Sequence, residues 1–342
     1  MSNLCIKTAS SIHEIDPAAW DQLSNGHPFQ SHRWYVYGER VMADCPPVYL
    51  LAYDGVHLLA RASFWLVRNE PVPKMLGPFR KAAKTMLKRW PLLICRSPLS
   101  YTSGFVLSDE TRRAEILSAF AESALDIAQK YRASFTLFDY LSKTNTEGWP
   151  RYFSAIYNPN PGMKMENRWE SLDEYLASGS KKDRQHHKRV LREAEKLGIE
   201  INCHSRAGCI DEALPLIRNV ETTHGAFPNP WVREMLKHMD IVNGSFLTAT
   251  MKGQLVGCGL LLEDNNTQMT SILGRAEGIP YVYFMLVYES LKMAFEHNVH
   301  LLRWGSGADE VKQRLGFSFE DNGYLSFAAV NPFLQKMLCW MR

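Results

Sequence analysis

Two stretches far apart in the chain can be written over each other: ESALDIAQKYRASFTLFDY at 122–140 and ESLKMAFEHNVHLLRWGSG at 289–307. With one residue skipped, Glu122, Ser123, Leu125, Ala128 and Phe138 fall on Glu289, Ser290, Leu291, Ala294 and Trp304. Each reads as an amphipathic helix running into a short apolar strand. What precedes them also repeats. Val48 to Tyr53 and His57 to Val67 flank the turn signal Asp54-Gly55, and Ser245 to Met251 and Leu255 to Leu262 flank Gly253 in the same way. The order hairpin, strand, helix, strand therefore occurs twice, and duplication at the scale of a domain accounts for it. A chain of 342 residues has room for two such domains. The run Tyr157-Asn158-Pro159-Asn160-Pro161-Gly162 has the composition of a linker, which predicts domains over 1–160 and 161–342.

The other elements follow from local signals. Asp16-Pro17 is an N-cap with proline at the first helical position. Phe29 to Trp34 leads into a helix ending near Met42. Pro91 to Cys95 and Gly104 to Leu107 read as strands. Glu110 to Tyr131 reads as a helix with Ile116, Phe120, Ala124, Ile127 and Ala128 on one face, followed by a strand at Phe135 to Phe138 that ends at Asp139-Tyr140. In the second half, Asp173 to Leu176, Lys182 to Leu197, Ile210 to Gly225 and Tyr283 to Asn298 read as helices, and Thr267 to Leu273 and Leu301 to Trp304 as strands. The last strand stops at Gly305-Ser306-Gly307, where backbone freedom permits a sharp exit. The fold class is α/β (α+β), with a mixed, largely antiparallel sheet flanked by helices in each domain.

A content of 46% hydrophobic residues suits a globular chain with a sizeable core. The seven cysteines are odd in number and scattered, with no CxxC spacing. That predicts free thiols in a reducing compartment, with neither a disulfide framework nor a zinc site. His186 and His187 are adjacent, so on a helix they point about 100° apart and chelate one metal poorly. The start lacks an apolar signal-peptide core, and no window approaches the ~18 apolar residues of a membrane span. The expectation is a cytoplasmic protein without a metal. GxSxG, P-loop and GxGxxG patterns are absent.

Net charge of +3 says little, but its distribution says more. From Pro71 to Ser108 there is no Asp or Glu, while Lys74, Arg80, Lys81, Lys84, Lys88, Arg89 and Arg96 fall inside the stretch. Phe79, Ala83, Met86, Leu87 and Trp90 form one helical face within it, so 76–90 suits an RNA backbone or an anionic membrane surface. A second cluster, Lys181, Lys182, Arg184, Lys188, Arg189 and Arg192, lies on a helix whose N-terminus can attract phosphate. Either cluster is also what a solvated helix face looks like.

Several short motifs carry a family likeness. Phe29-Gln30-Ser31-x-x-Trp34 resembles an N-terminal FQSxxW segment. Ser171 to Leu176, followed by Lys181-Lys182-Asp183-Arg184 and Lys188-Arg189, resembles a "YL…S-K-x-R" helix start. Glu310 to Phe317 resembles a C-terminal "xxK-x-x-F/G" motif. Asp139 stands where the same proteins often carry Asp-Pro, with Tyr140 in place of the proline. Together with the duplicated order, these resemble the tandem acyltransferases of the GNAT superfamily, and most closely their Fem-type, FemAB-like branch, over nearly the whole chain. The resemblance implies an acyltransferase moving an acyl or aminoacyl group from acyl-CoA or an aminoacyl-tRNA onto an amine, which may be a small molecule or a peptide, with no covalently bound cofactor. It also implies Lys312 as the group that stabilises the tetrahedral oxyanion. The basic residue that some members carry in the FQSxxW helix has no counterpart here; Tyr37 stands about there. The acetyl-CoA signature is half present in Arg275-Ala276-Glu277-Gly278-Ile279-Pro280, where proline replaces the last small residue.

The residues themselves fit this chemistry in part. Transfer to an amine needs a deprotonated nucleophile, a group facing the oxyanion and a grip on the leaving group. Lys312 follows a glycine turn and can aim an ammonium. Asp139 and Asp309 lie at the ends of the two equivalent strands, so either can take the amine proton, or simply cap its turn. Arg184 and Lys188 can grip a phosphate, with Arg275 and Gly278 at the donor. Trp304 can line a pocket, although a strand tryptophan more often belongs to a core. The competing expectation is a non-catalytic protein that binds RNA or an anionic membrane through 74–96.

Overall fold

Both copies of the duplicated order are formed in the computed structural model, which describes residues 4–70, 80–157, 161–331 and 335–336. The first runs β1 (Leu4–Ala9), α1 (Pro17–Leu23), α2 (His32–Val41), β2 (Pro47–Asp54), β3 (His57–Val67), α3 (Arg80–Arg89), β4 (Leu92–Cys95), β5 (Phe105–Leu107), α4 (Arg113–Lys130), β6 (Phe135–Leu141) and β7 (Ser154–Tyr157). Asp16 caps α1 by accepting from the Ala18 and Ala19 amides, and the Ser31 hydroxyl caps α2 by accepting from Trp34 N. Helix α4 buries Ile116, Phe120, Ala124 and Ala128 against Phe64, Leu93 and Phe138 of the sheet, and the fifth residue of the expected face, Ile127, is only partly covered.

The second copy runs β8 (Met163–Glu166), α5 (Leu172–Ser178), α6 (Lys181–Leu197), β9 (Ile199–His204), α7 (Ile210–Thr223), α8 (Val232–Lys237), β10 (Ser245–Met251), β11 (Gln254–Asp264), β12 (Thr267–Arg275), α9 (Val282–Glu296), β13 (Leu301–Trp304), α10 (Asp309–Arg314) and β14 (Ser318–Phe319). A capping box closes the start of α6: the Ser180 hydroxyl accepts from Asp183 N, and the Asp183 carboxylate accepts from Ser180 N. The sheet order is β14-β8-β13-β12-β11-β10-β9. Helix α9 lies close against it because Gly257 of β11 leaves space; a Cβ there would fall 2.3 Å from Val282 Cγ1.

Each copy contains one parallel ladder, with antiparallel pairing elsewhere. In the first, Leu92–Cys95 lies beside Phe135–Phe138; in the second, Thr267–Thr270 lies beside Leu301–Trp304. Phe138 and Trp304, matched in the sequence, are each the last residue of their ladder. Beyond that residue the paired strands part. The copies differ at this fork. In β12 a single extra residue, Ser271, interrupts the pairing with β11. In the first copy the corresponding strand is split into β4 and β5, both paired to β3, and residues 96–104 leave between them. The neck of that loop is tight: a Cβ on Gly104 would sit 2.7 Å from Arg96 N.

The chain divides into two compact units, Met1–Pro161 with Glu320–Arg342, and Gly162–Phe319. The first break falls between Pro161 and Gly162, and residues 158–160 lie outside the described residues. The end of the chain does not follow the expected boundary. Instead of completing the second unit, β15 (Tyr324–Ala329) pairs antiparallel with β6 on one side and β7 on the other, giving the first sheet the order β1-β2-β3-β4-β6-β15-β7. A long-range pairing of this kind fills an otherwise open sheet edge and leaves no local sequence signal.

Candidate functional site

The fork between β12 and β13 organises the second unit. After Trp304 the backbone turns through Gly307 (φ +95°) and Ala308 (φ +54°) into α10. Lys312 lies on the inner face of α10, only 7% exposed, and its ammonium donates to the carbonyl of Gly305, the first residue beyond the parallel ladder. It has no ion-pair partner among the described residues. Burial lowers its pKa to about 8, with Asp309 pulling the other way. The Asp309 carboxylate is exposed and accepts from Gly307 N at 3.1 Å, so one of its oxygens holds the turn.

On the other strand of the fork, the loop from β12 leads into α9. Arg275 ends β12, Gly278 adopts φ +74°, and α9 begins after Tyr281 (φ +69°) without a side-chain cap. The amides of its first turn are therefore left without a side-chain acceptor at a helix end that favours anions. Glu277, also in this loop, is exposed.

Behind α10 a cavity of about 390 Å³ opens between α5, α6, α9 and α10. Trp169, Tyr175, Phe284 and Tyr288 supply its aromatic walls, and Val311, Arg314, Leu315 and Gly316 bring α10 to it. The Tyr175 hydroxyl donates to the Leu315 carbonyl at 3.0 Å and ties α5 to the end of α10. His186 Nδ1 lies 3.0 Å from the Tyr288 hydroxyl, and its ring meets Phe284 edge-on at 4.5 Å. Burial first, then Arg189 and Arg314 against Asp183, hold the imidazole below its usual pKa.

The remaining expected residues have structural surroundings. Trp304 stacks on Phe317 at 4.2 Å in the core and is not part of the cavity wall. The Arg184 guanidinium donates through Nη1 to the carbonyls of Gly179 (2.6 Å) and Ala177 (3.3 Å), which caps the end of α5. Lys188 is exposed on α6. Tyr37 is enclosed in the first unit against Trp34, where burial raises its phenol pKa, so its ring has no face for a ligand.

Asp139, also in the first unit, sits at that unit's own fork. It accepts from Tyr140 N at 2.9 Å and lies 3.8 Å from Arg96, which is held in a two-pronged bond by Glu70. Burial raises its pKa to about 6, and Arg96 opposes the rise. The FQSxxW segment secures this fork. Trp34 Nε1 donates to Pro98 O, Gln30 Nε2 to Ser103 O, and the Ser97 hydroxyl to Phe29 O. Arg61, fully buried with its guanidinium 3.6 Å above Trp20, donates to the Gln30 carbonyl and side-chain oxygen. The motif is a clamp on the 96–104 loop. Its sequence signal, an arginine inside the apolar strand run of β3, stands in plain view.

The cavity residues His186, Phe284 and Tyr288 were not singled out as binding residues by sequence. Their signal is a pair of i, i+4 spacings, Lys182/His186 on α6 and Phe284/Tyr288 on α9. Among the described residues, no group of three His, Cys, Asp or Glu could hold a metal, and no helix is long and apolar enough to cross a membrane.

Residues 181–313, within the second unit, match the family described as an acetyltransferase (GNAT) domain. The fold of the whole chain is similar to that of FemX, at a TM-score of 0.64 and 12% identity, covering 97% of this chain and 100% of that one. It is similar to a tandem GNAT protein from the clavulanic acid biosynthesis pathway at 0.58 and 13%, covering 96% and 99%. It is also similar to the C-terminal domain of a protein described as a lysylphosphatidylglycerol synthetase, from Agrobacterium fabrum, at 0.54 and 11%, covering 96% of each. No curated protein sequence matches the chain significantly. The second unit thus carries a GNAT domain, and the chain as a whole has the Fem-type tandem GNAT fold.

Proposed function

We propose that the protein is an N-acyltransferase that moves an acyl or aminoacyl group from an activated donor, acyl-CoA or aminoacyl-tRNA, onto an amine, with the reaction centred on the fork of the second unit. The observation that carries this reading is Lys312: a buried ammonium without a carboxylate partner among the described residues, bonded to the first carbonyl past the parallel ladder. A charge placed so is costly for folding and useful where negative charge develops. The amine lone pair attacks the donor carbonyl, and the oxyanion that forms is met by Lys312. That attack forms the N–C bond; collapse then restores the C=O bond and breaks the C–S or C–O bond, releasing the thiolate or the ribose oxygen, while the amine proton is passed on. Asp309, exposed on the same helix, is the proposed acceptor of the amine proton. Arg275, Gly278 and the first turn of α9 are the proposed contacts of the donor phosphates, with Lys188 a further cation on α6. One neighbour's name mentions AcCoA and another's a lysyl product, which supports an acyl or aminoacyl group as the cargo.

The test is a screen of acyl-CoA thioesters and charged tRNAs against a pool of amines, read as a mass increase of the amine. Transfer that disappears in Lys312→Ala, with the fold intact, supports the reading. Transfer that persists in that variant removes Lys312 from it.

One observation favours a second reading, a surface-binding protein. On α3, Met86 is 56% exposed, and Trp90, just past its end and one turn away, is 43% exposed; the helix also exposes Lys81, Lys88 and Arg89. Exposed apolar side chains among cations fit an anionic lipid surface better than an RNA backbone. Phe79 and Lys74 of the expected face and charge run lie outside the described residues.

A further inference from the structure

We propose that the cavity between α5, α6, α9 and α10 binds an apolar amino acid, its side chain among the aromatic walls and its carboxylate at the rim formed by Lys182 and Arg314. The proposal rests on the transfer reading only in making this molecule the amine acceptor; binding itself does not depend on a donor. Three features define the ligand. A volume of about 390 Å³ lies in the range of small-molecule sites and accommodates one large side chain. The walls are mainly apolar, and Leu176, Phe284 and Val311 carry no polar side-chain atom. The charged groups at the opening are mostly of one sign. Lys182 and Arg314 are exposed and have no ion pair among the described residues, whereas the one acid there, Asp183, is occupied by Ser180 through its Oδ2 atom. An exposed arginine and an exposed lysine in the lining of a mainly apolar cavity select an anion attached to an apolar body. Within the walls, the pair of His186 with the Tyr288 hydroxyl gives an amine a hydrogen-bonding partner. Fatty acids share the apolar carboxylate but lack the amine.

The experiment is calorimetric titration of the full-length protein, without donor, with phenylalanine, 3-phenylpropionate, phenethylamine and octanoate. Phenylalanine is expected to bind about tenfold tighter than phenethylamine, which lacks the carboxylate, and tighter than 3-phenylpropionate, which lacks the amine. Arg314→Gln, an exposed substitution that does not threaten the fold, is expected to weaken phenylalanine about tenfold and to leave phenethylamine unchanged. Val311→Phe, which narrows the cavity, is expected to abolish binding of all four, with a melting curve to show that the protein is folded. Equal affinity for phenylalanine and phenethylamine, no binding of either, or no effect of Arg314→Gln would overturn the proposal. Octanoate binding tighter than phenylalanine would overturn the amino-acid assignment. A negative titration alongside transfer to some other amine defeats this inference alone, while phenylalanine binding without transfer from any donor defeats the transfer reading alone.

Discussion

Replacing Lys312 with methionine should make the protein more stable at neutral pH and inactive. Burial takes the lysine pKa from its ordinary 10.5 to about 8. At about 1.4 kcal/mol per pH unit, holding the charged form at pH 7 costs about 3 kcal/mol. Its hydrogen bond to the Gly305 carbonyl contributes about 1.5–3 kcal/mol in return, as bonds from charged donors do. Methionine keeps the length and apolar bulk of the stem and removes both terms, so a net gain of up to about 1.5 kcal/mol is expected at pH 7. The pH dependence is sharper than the sign alone. Because the folded pKa is depressed, the unfolded chain binds the extra proton between pH 8 and 10.5. Wild-type stability should therefore rise through that window relative to the variant, whose curve lacks this contribution. Urea melts of both proteins at pH 7, 8, 9 and 10 measure it. A variant less stable than wild type at pH 7, with a constant difference across the series, would mean that the lysine is a structural strut and that the burial argument is wrong.

Gly257→Ala should destabilise the second unit by about 1–3 kcal/mol in the same melts, because its Cβ would collide with Val282 and push α9 off the sheet. For Asp139, the folded pKa near 6 lies above its ordinary 3.8, so the stability it confers is present below pH 4 and lost as pH rises to 6; relative to Asp139→Asn, wild type should lose about 2–3 kcal/mol across that interval. If α3 meets a membrane, flotation with vesicles containing phosphatidylglycerol should recover the protein, vesicles of phosphatidylcholine alone should not, and Met86→Ser with Trp90→Ser should abolish recovery. A tRNA gel shift that survives the double substitution would assign the basic helix to RNA instead.

The duplicated order was legible because hairpins, helices and their caps are written locally: Asp54-Gly55, Asp16-Pro17 and the apolar stripe of α4 each sit within a few turns of what they specify. Pairings between distant segments were not. Nothing around Tyr324 announces that it belongs between β6 and β7, nor around Met163 that β8 lies beside β13. The site shows the same division. Lys312 could be named from a motif, but its burial depends on where α10 folds back. Arg184 has the composition of a phosphate ligand, and its Nη1 group caps the end of α5. The cavity draws on α5, α6, α9 and α10, so only its i, i+4 pairs leave a trace in the sequence.

The most direct test is the single-turnover rate of acyl transfer in wild type and Lys312→Ala, across pH 6 to 10, with whichever donor the screen returns. If the ammonium meets the oxyanion, the variant should be slower by about 10²–10³-fold, and the wild-type advantage should fade above pH 8 as Lys312 loses its proton. Equal rates in the two proteins, or an advantage that does not change with pH, would contradict the assignment.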